Sequence, residues 1–446
     1  MTDAVIALKS ALQRPLRLLA SVLSLRYFLL RSSTAAAAIA AGLVQTFVFA
    51  RVLTPERFSI FIQIGTVGVS LWLFDLGAAK ILFVRQRARH LGQRADLTVA
   101  VHSSAVVLLY GLIVLAGTAL CFAATASAQS TPWHAAEYAL FFSFSALNLV
   151  WFPLRNISNA VDEFIYFEVL EAVRRAGHIG LTLALLIGLP LPLFLVAGNL
   201  LWAAVFTASI VALARAGALA PRLRHFRRGL AEFWRANRPE LLRSGTYAGA
   251  ELIVYNFPYL VVPLAFGLGA PTIVLDTVFK VFRGTTLIYA AGLDPLVPEQ
   301  TRAFAARDVA TLKRATLTAA VLTALPTLLL CLLLLLLGDQ IFALLLGHAA
   351  TVPSAAVVIL VVLLIANMAQ NVASCLLLHT GFFREIARVA SFLVAAMAVM
   401  TALVLLTGLD ITGFLAGYAV VYVAGAALYL YYVVRQPFRL AAITAH

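Results

Sequence analysis

The sequence predicts an all-α polytopic membrane protein, with about twelve transmembrane helices in two pseudo-symmetric six-helix lobes. Three observations carry this. Apolar residues make up 63% of the 446-residue chain. They gather into about a dozen long runs. The 33 lysines and arginines, against 19 acidic residues, cluster between every second pair of runs. Hydrocarbon cannot hydrogen-bond a backbone, so each spanning segment must be a helix of about 20 apolar residues.

Residues 1–29 form a cytoplasmic amphipathic segment in this reading. Over 5–24, Lys9, Gln13 and Arg17 share one helical face with leucines opposite, the pattern of an interfacial helix. Arg14, Pro15, Arg17 and Arg26 interrupt any apolar core, which argues against a cleavable signal. The first lobe, 30–214, holds spans at 30–52, 58–83, 97–122, 138–154, 166–187 and 193–213. The fifth of these carries five charged or titratable residues in its first half. A basic cytoplasmic linker, 215–245, follows, with its own amphipathic run of Phe226, Leu230, Phe233 and Trp234. The second lobe, 246–434, holds spans at 247–266, 273–297, 317–337, 355–378, 389–407 and 411–434, before a cytoplasmic tail, 435–446.

Charge orients the bundle. Basic residues fill the N-terminal segment, the second, sixth, eighth and tenth connections and the tail, while Arg51 and Arg57 are the exceptions in the odd-numbered ones. The positive-inside rule then makes both termini cytoplasmic. Orientation and attraction to anionic lipid suffice to explain the net charge of +14, so nucleic acid is not an expected partner. Cys121, Cys331 and Cys375 lie singly within apolar spans and make neither a disulfide framework nor a metal site. The outside connections are short, which suits a transporter better than an enzyme acting on the outer face.

The stretch Val52-Leu-Thr-Pro-Glu-Arg-Phe-Ser-Ile-Phe, followed by Leu73-Phe-Asp-Leu-Gly-Ala-Ala-Lys80, resembles the start of Wzx-type polysaccharide and O-antigen flippases of the MOP exporter superfamily. Thr54 and Ser59 stand where that family usually has glycines. Leu268-Gly-Ala, Pro295, Pro298, Arg302 and the segment from Gly338 to Gly347 echo the second half of the family in order and spacing. The resemblance implies a MATE-like fold, with two six-helix lobes around a cavity that opens alternately to each side. It also implies a lipid-linked oligosaccharide as cargo, and a bacterial inner-membrane location.

Ionised groups inside a membrane are costly and usually face a cavity or a partner. Asp276, Lys280 and Arg283 share one face of the eighth span, as a cationic strip or as an internal ion pair with an outward arginine. Glu168, Glu171, Arg175 and His178 share a face of the fifth, with Arg174 beside them; a self-neutralised helix start is the competing reading. Asp75 and Lys80 lie too far apart around the second span to pair, and Lys80 is near enough to the inner surface to snorkel. Glu251 stands alone between Tyr247 and Tyr255, as a cation carrier or a hydrogen-bonded structural group. Asn367, Gln370, Asn371 and Ser374 form a polar stripe in the tenth span, with Asn148 and Asn256 elsewhere, as helix–helix glue or as sugar-binding amides.

A lipid-linked diphosphate requires cations in a hydrated cavity, and the planar fork of arginine suits it. Arg174, Arg175, Lys280, Arg283 and Lys80 are the candidate substrate-binding cations. Glu251, Asp276, Glu171 and Asp75 are the candidates for H⁺ or Na⁺ coupling, and no other cofactor is expected. The cargo, membrane lipids and the polysaccharide polymerase and chain-length machinery are the expected partners. A multidrug antiporter of the same superfamily is the nearest alternative, disfavoured by a first span without an acidic residue. A membrane glycan polymerase or ligase is further off, because paired carboxylates in a roomy loop are lacking.

Overall fold

The structure, a computed structural model, describes residues 25–92, 98–128, 132–220, 226–293 and 296–438. Within these, the side chains at 25–32, 128, 132, 243–244, 246–248, 250–252, 291 and 298 are outside the description. The expected interfacial helix at 5–24 and most of the tail lie outside the described residues.

The described residues form fifteen α-helices and contain no strand. They are α1 Leu25–Val52, α2 Pro55–Ser70, α3 Ala78–His90, α4 Thr98–Ala128, α5 Pro132–Ala146, α6 Asn148–Ala160, α7 Phe164–Ala184 and α8 Leu191–Arg215. There follow α9 Phe226–Phe266, α10 Ala270–Leu293, α11 Val297–Ala305, α12 Val309–Leu346, α13 Ser354–His379, α14 Phe383–Thr407 and α15 Ile411–Val433. Every expected span falls on helix. Nine stretches are long and apolar enough to cross a membrane. The fifth, seventh and eighth expected spans are not among them. Their helices are the charged α7 and α10, and α9, whose apolar end, Ile253–Phe266, is short. The outward leucines of α12, among them Leu325, Leu328, Leu329, Leu332 and Leu336, are what a lipid-facing surface requires.

Local chemistry sets the ends. Thr54 caps α2, accepting from the Arg57 amide at 3.4 Å, and Pro55 opens the helix where its missing N–H costs nothing. Asp308 caps α12 and Asp410 caps α15, each accepting from an amide three residues on. The ninth expected span proves longer than 317–337: α12 runs 38 residues, since leucine-rich sequence propagates helix past the apolar stretch at both ends.

The second expected span is not one helix. A 3₁₀ turn, Leu71–Asp75, follows α2, and Leu76 and Gly77 adopt left-handed conformations (φ 47° and 81°) before α3 begins. The basic residues Arg85, Arg87 and Arg89 lie on α3 itself.

The chain divides into two compact units. One comprises residues 44–263 and 268–273, the other 1–43, 264–267 and 274–446. In the first unit, Phe49, Phe58, Phe61, Phe141 and Phe194 pack edge-on around Phe49 and Phe61. Gly68 lets α2 approach α5, since a Cβ there would lie 3.0 Å from the Phe142 carbonyl oxygen. In the second unit, the Phe279, Phe282, Tyr418 and Tyr422 rings join α10 to α15.

Both exceptions to the charge asymmetry find partners. Arg57 of α2 pairs with Glu137 of α5. Arg51 donates to the Phe47 carbonyl at 2.7 Å and lies over the Phe47 ring.

Candidate functional site

In the first unit, α6, α7 and α8 assemble a charged cluster. Apolar Ile165, Val169 and Val173 occupy the exposed face of α7, and Glu168, Glu171, Arg174 and His178 its buried face. Glu171 receives Arg174 in a two-point fork, Nε to Oε2 at 2.8 Å and Nη2 to Oε1 at 2.6 Å. Arg175 Nε donates to the same Oε1 at 2.8 Å. The Arg174 guanidinium also lies 4.0 Å from the centre of the Trp202 ring in α8. Thus Arg174 is 3% exposed and fully engaged, whereas the Arg175 side chain is 26% exposed.

Sequence reasoning missed Arg155. It sits on α6, and its Nη2 donates to Glu168 Oε1 at 2.5 Å while its side chain stays 27% exposed. Among the described residues, three guanidiniums meet two carboxylates in this cluster. Half-buried Phe152, Arg155, Asn156 and Asn159 recur on one face of α6, while Trp151, Leu154, Ile157 and Ser158 are buried on the other. That polar period was available in the sequence, but Arg155 lies just beyond the expected end of the fourth span and reads as a connection.

His178 stacks on Phe144 with ring centroids 4.8 Å apart, and its Nδ1 has no hydrogen-bond partner among the described residues. Glu171, a candidate cation carrier from sequence, is instead held by two arginines, which leaves little of its charge to attract another cation.

Asp75 is likewise reassigned. One carboxylate oxygen accepts from the Gly77 amide at 3.0 Å; the other accepts from the Ala79 amide at 3.1 Å and the Tyr110 hydroxyl at 2.9 Å. It closes the break between α2 and α3 and starts α3. Lys80 does not pair with it; the lysine is exposed and makes no ion pair among the described residues.

In the second unit, α10 carries the other expected group. Lys280 pairs with Asp276 at 2.5 Å, and the Arg283 guanidinium lies 5.5 Å from the Phe279 ring centre. The polar stripe of α13 turns out to join helices. Asn367, fully buried, donates to the Phe282 carbonyl and to Thr285 of α10 and accepts from Tyr422 of α15. Asn371 donates back to Asn367 at 2.8 Å. At Asn367 this fits helix–helix bonding, one of the two readings of the stripe, whereas the bonds of Asn371 stay within α13. Gln370 differs: its side-chain carbonyl is buried with no hydrogen-bond partner among the described residues.

Asn148 donates to the Ser145 carbonyl at 2.9 Å, where α5 passes into α6, and Asn256 is buried in α9. The side chain of Glu251 lies outside the described residues. The α7 and α10 groups belong to different units, which are described separately.

No family model matches the chain. No curated protein matches it either. Solved structures do. A multidrug resistance MATE family transporter of the MOP superfamily, in an inward-facing conformation, is 16% identical with a TM-score of 0.68, over 94% of this chain and 100% of that one. A MOP superfamily transporter from Pyrococcus furiosus, whose binding pocket of reverse polarity suggests a different function, is 14% identical with a TM-score of 0.62, over 93% and 95%. A mutant of the Vibrio cholerae MATE transporter VcmN is 12% identical with a TM-score of 0.62, over 95% and 99%. The chain thus has the fold of MATE transporters.

Proposed function

We propose that the protein is a membrane transporter that flips a polyprenyl-diphosphate-linked oligosaccharide, a polysaccharide or O-antigen repeat unit, from the cytoplasmic to the outer leaflet of a bacterial inner membrane. Alternating access moves the cargo, and both termini are cytoplasmic. The carrying observation is the surplus guanidinium of the α6–α7 cluster, where Arg155 and Arg175 are each tied down on one side and open on the other. A diphosphate needs such groups to leave water. Lys80 would add to the attraction in the same unit, and Arg283 would contribute a guanidinium in the other unit taken by itself. With Glu171, Asp75 and Asp276 each engaged, H⁺ or Na⁺ coupling falls to Glu251. Polymerase and chain-length machinery would take up the flipped unit.

Deletion of the gene, with analysis of lipid-linked glycans, tests this reading. Intermediates should accumulate on the cytosolic leaflet, and a variant with Arg175→Ala and Arg283→Ala should fold yet fail to restore surface glycan. Full restoration by that variant would remove the proposal. The second reading, export of organic cations, is favoured by the multidrug MATE transporters among the structures of like fold. It predicts normal surface glycan and sensitivity to a cationic dye on deletion.

A further inference from the structure

The turn that breaks the second expected span holds Trp72 outward, 40% exposed. Its ring stacks on Phe152 of α6, with centroids 5.3 Å apart and planes 24° from parallel. The turn is not loose, because Asp75 fastens it to Gly77, Ala79 and Tyr110. Three residues beyond Phe152, on the same face of α6, stands the half-open Arg155 guanidinium. Asn156 follows; its amide donates to the Phe152 carbonyl at 2.9 Å, and its side-chain oxygen accepts no hydrogen bond among the described residues. Asn159 makes no side-chain hydrogen bond there at all. From Phe152 to Asn159 the strip is about 10 Å long.

A ring pair, a half-open guanidinium and two asparagines with unused hydrogen-bonding groups in line is an unusual surface for hydrocarbon to cover. Lipid tails would leave the open side of the guanidinium, the Asn156 side-chain oxygen and the Asn159 amide unsatisfied. An organic cation would be repelled by Arg155. A sugar phosphate suits all parts: the C–H face of a pyranose packs on an aromatic ring, a phosphate oxygen accepts from guanidinium, and hydroxyls bond amides. We propose that Trp72, Phe152 and Arg155, with Asn156 and Asn159, form a glycosyl-phosphate binding face in the first unit. The ring pair holds the sugar nearest the lipid carrier, and Arg155 holds the phosphate joined to it. This rests on the cargo proposed above and names the side chains that would read its head group.

Full-length protein in detergent is titrated with farnesyl diphosphate and with farnesyl-diphosphate-linked N-acetylglucosamine. Wild type should bind the glycosylated probe about fivefold more tightly, the scale of one aromatic contact. Trp72→Ala should erase that difference and leave farnesyl diphosphate binding unchanged. Trp72→Phe should restore most of it, which separates lost recognition from misfolding. Arg155→Gln should weaken both probes about tenfold or more. Because that change takes a partner from Glu168, Arg155→Gln with Glu168→Gln provides the charge-balanced version. Retention of the sugar preference by Trp72→Ala, or equal affinity of wild type for the two probes, would overturn the binding face and leave the diphosphate reading standing. Binding of neither probe by wild type would overturn the proposed cargo, and the face with it.

Discussion

Glu171 accepts from two arginines, and removing it leaves Arg174 buried beside a ring with no carboxylate. Glu171→Gln should therefore cost about 3 kcal/mol, read as a lower unfolding midpoint in detergent. Adding Arg174→Met should recover much of that loss, because the uncompensated charge goes too. An unchanged midpoint in the single variant would show that the pair contributes nothing. A second carboxylate acts at the polar end of the same unit. Asp162 accepts from Arg87 of α3 at 2.7 Å and contacts His90 at 3.1 Å. The hydrogen bond from Arg87, with the neighbouring positive charges, holds its carboxyl below the ordinary value of 3.8. A lowered carboxyl stabilises the fold above the unfolded value and loses that effect as pH falls through the folded one. The midpoint difference between wild type and Asp162→Asn should thus be small, be present at about pH 5, and shrink below about pH 4. A difference that grew on acidification would rule this contact out.

The helices depend on a few polar side chains that the apolar pattern does not reveal. Asp75→Ala removes two amide caps and a tyrosine partner at once, and should cost about 2–3 kcal/mol in thermal unfolding. Gly77→Ala places a Cβ in a left-handed conformation and should cost about 1 kcal/mol. If α2 and α3 were one continuous helix, alanine at position 77 would stabilise instead. In the other unit, Asn367→Ala unties α13 from α10 and α15, with an expected loss of about 1 kcal/mol. Tyr422→Phe should lose less, since it deletes one of Asn367's bonds rather than all of them.

For the whole molecule, orientation is open to direct measurement. With the three native cysteines replaced by serine, cysteine at Gly92 should react with a membrane-impermeant maleimide only in inverted vesicles, and cysteine at Gly188 only in intact cells. The reverse result would turn the protein over. Nine of the expected spans fall on stretches long and apolar enough to cross a membrane, because about twenty apolar residues leave a chain in lipid no other choice. The detail that escaped the sequence was polar. Asp75 reads in one dimension as an intramembrane charge, and only the fold shows it capping a turn. Asn367 reads as helix–helix glue or as a sugar ligand until α10 and α15 are seen to enclose it. Arg155 hides because an arginine just after an apolar run is indistinguishable from an ordinary inner-loop charge. Pairs four residues apart, Glu171 with Arg175 and Asp276 with Lys280, were legible because helical geometry alone brings them together. The left-handed pair at Leu76 and Gly77 also has a mechanical side. It makes the segment from Pro55 to His90 an articulated rod, pinned at its joint by the Tyr110 hydroxyl. Any change in the angle between its two helices has to carry the Asp75 bonds to Gly77, Ala79 and Tyr110 with it.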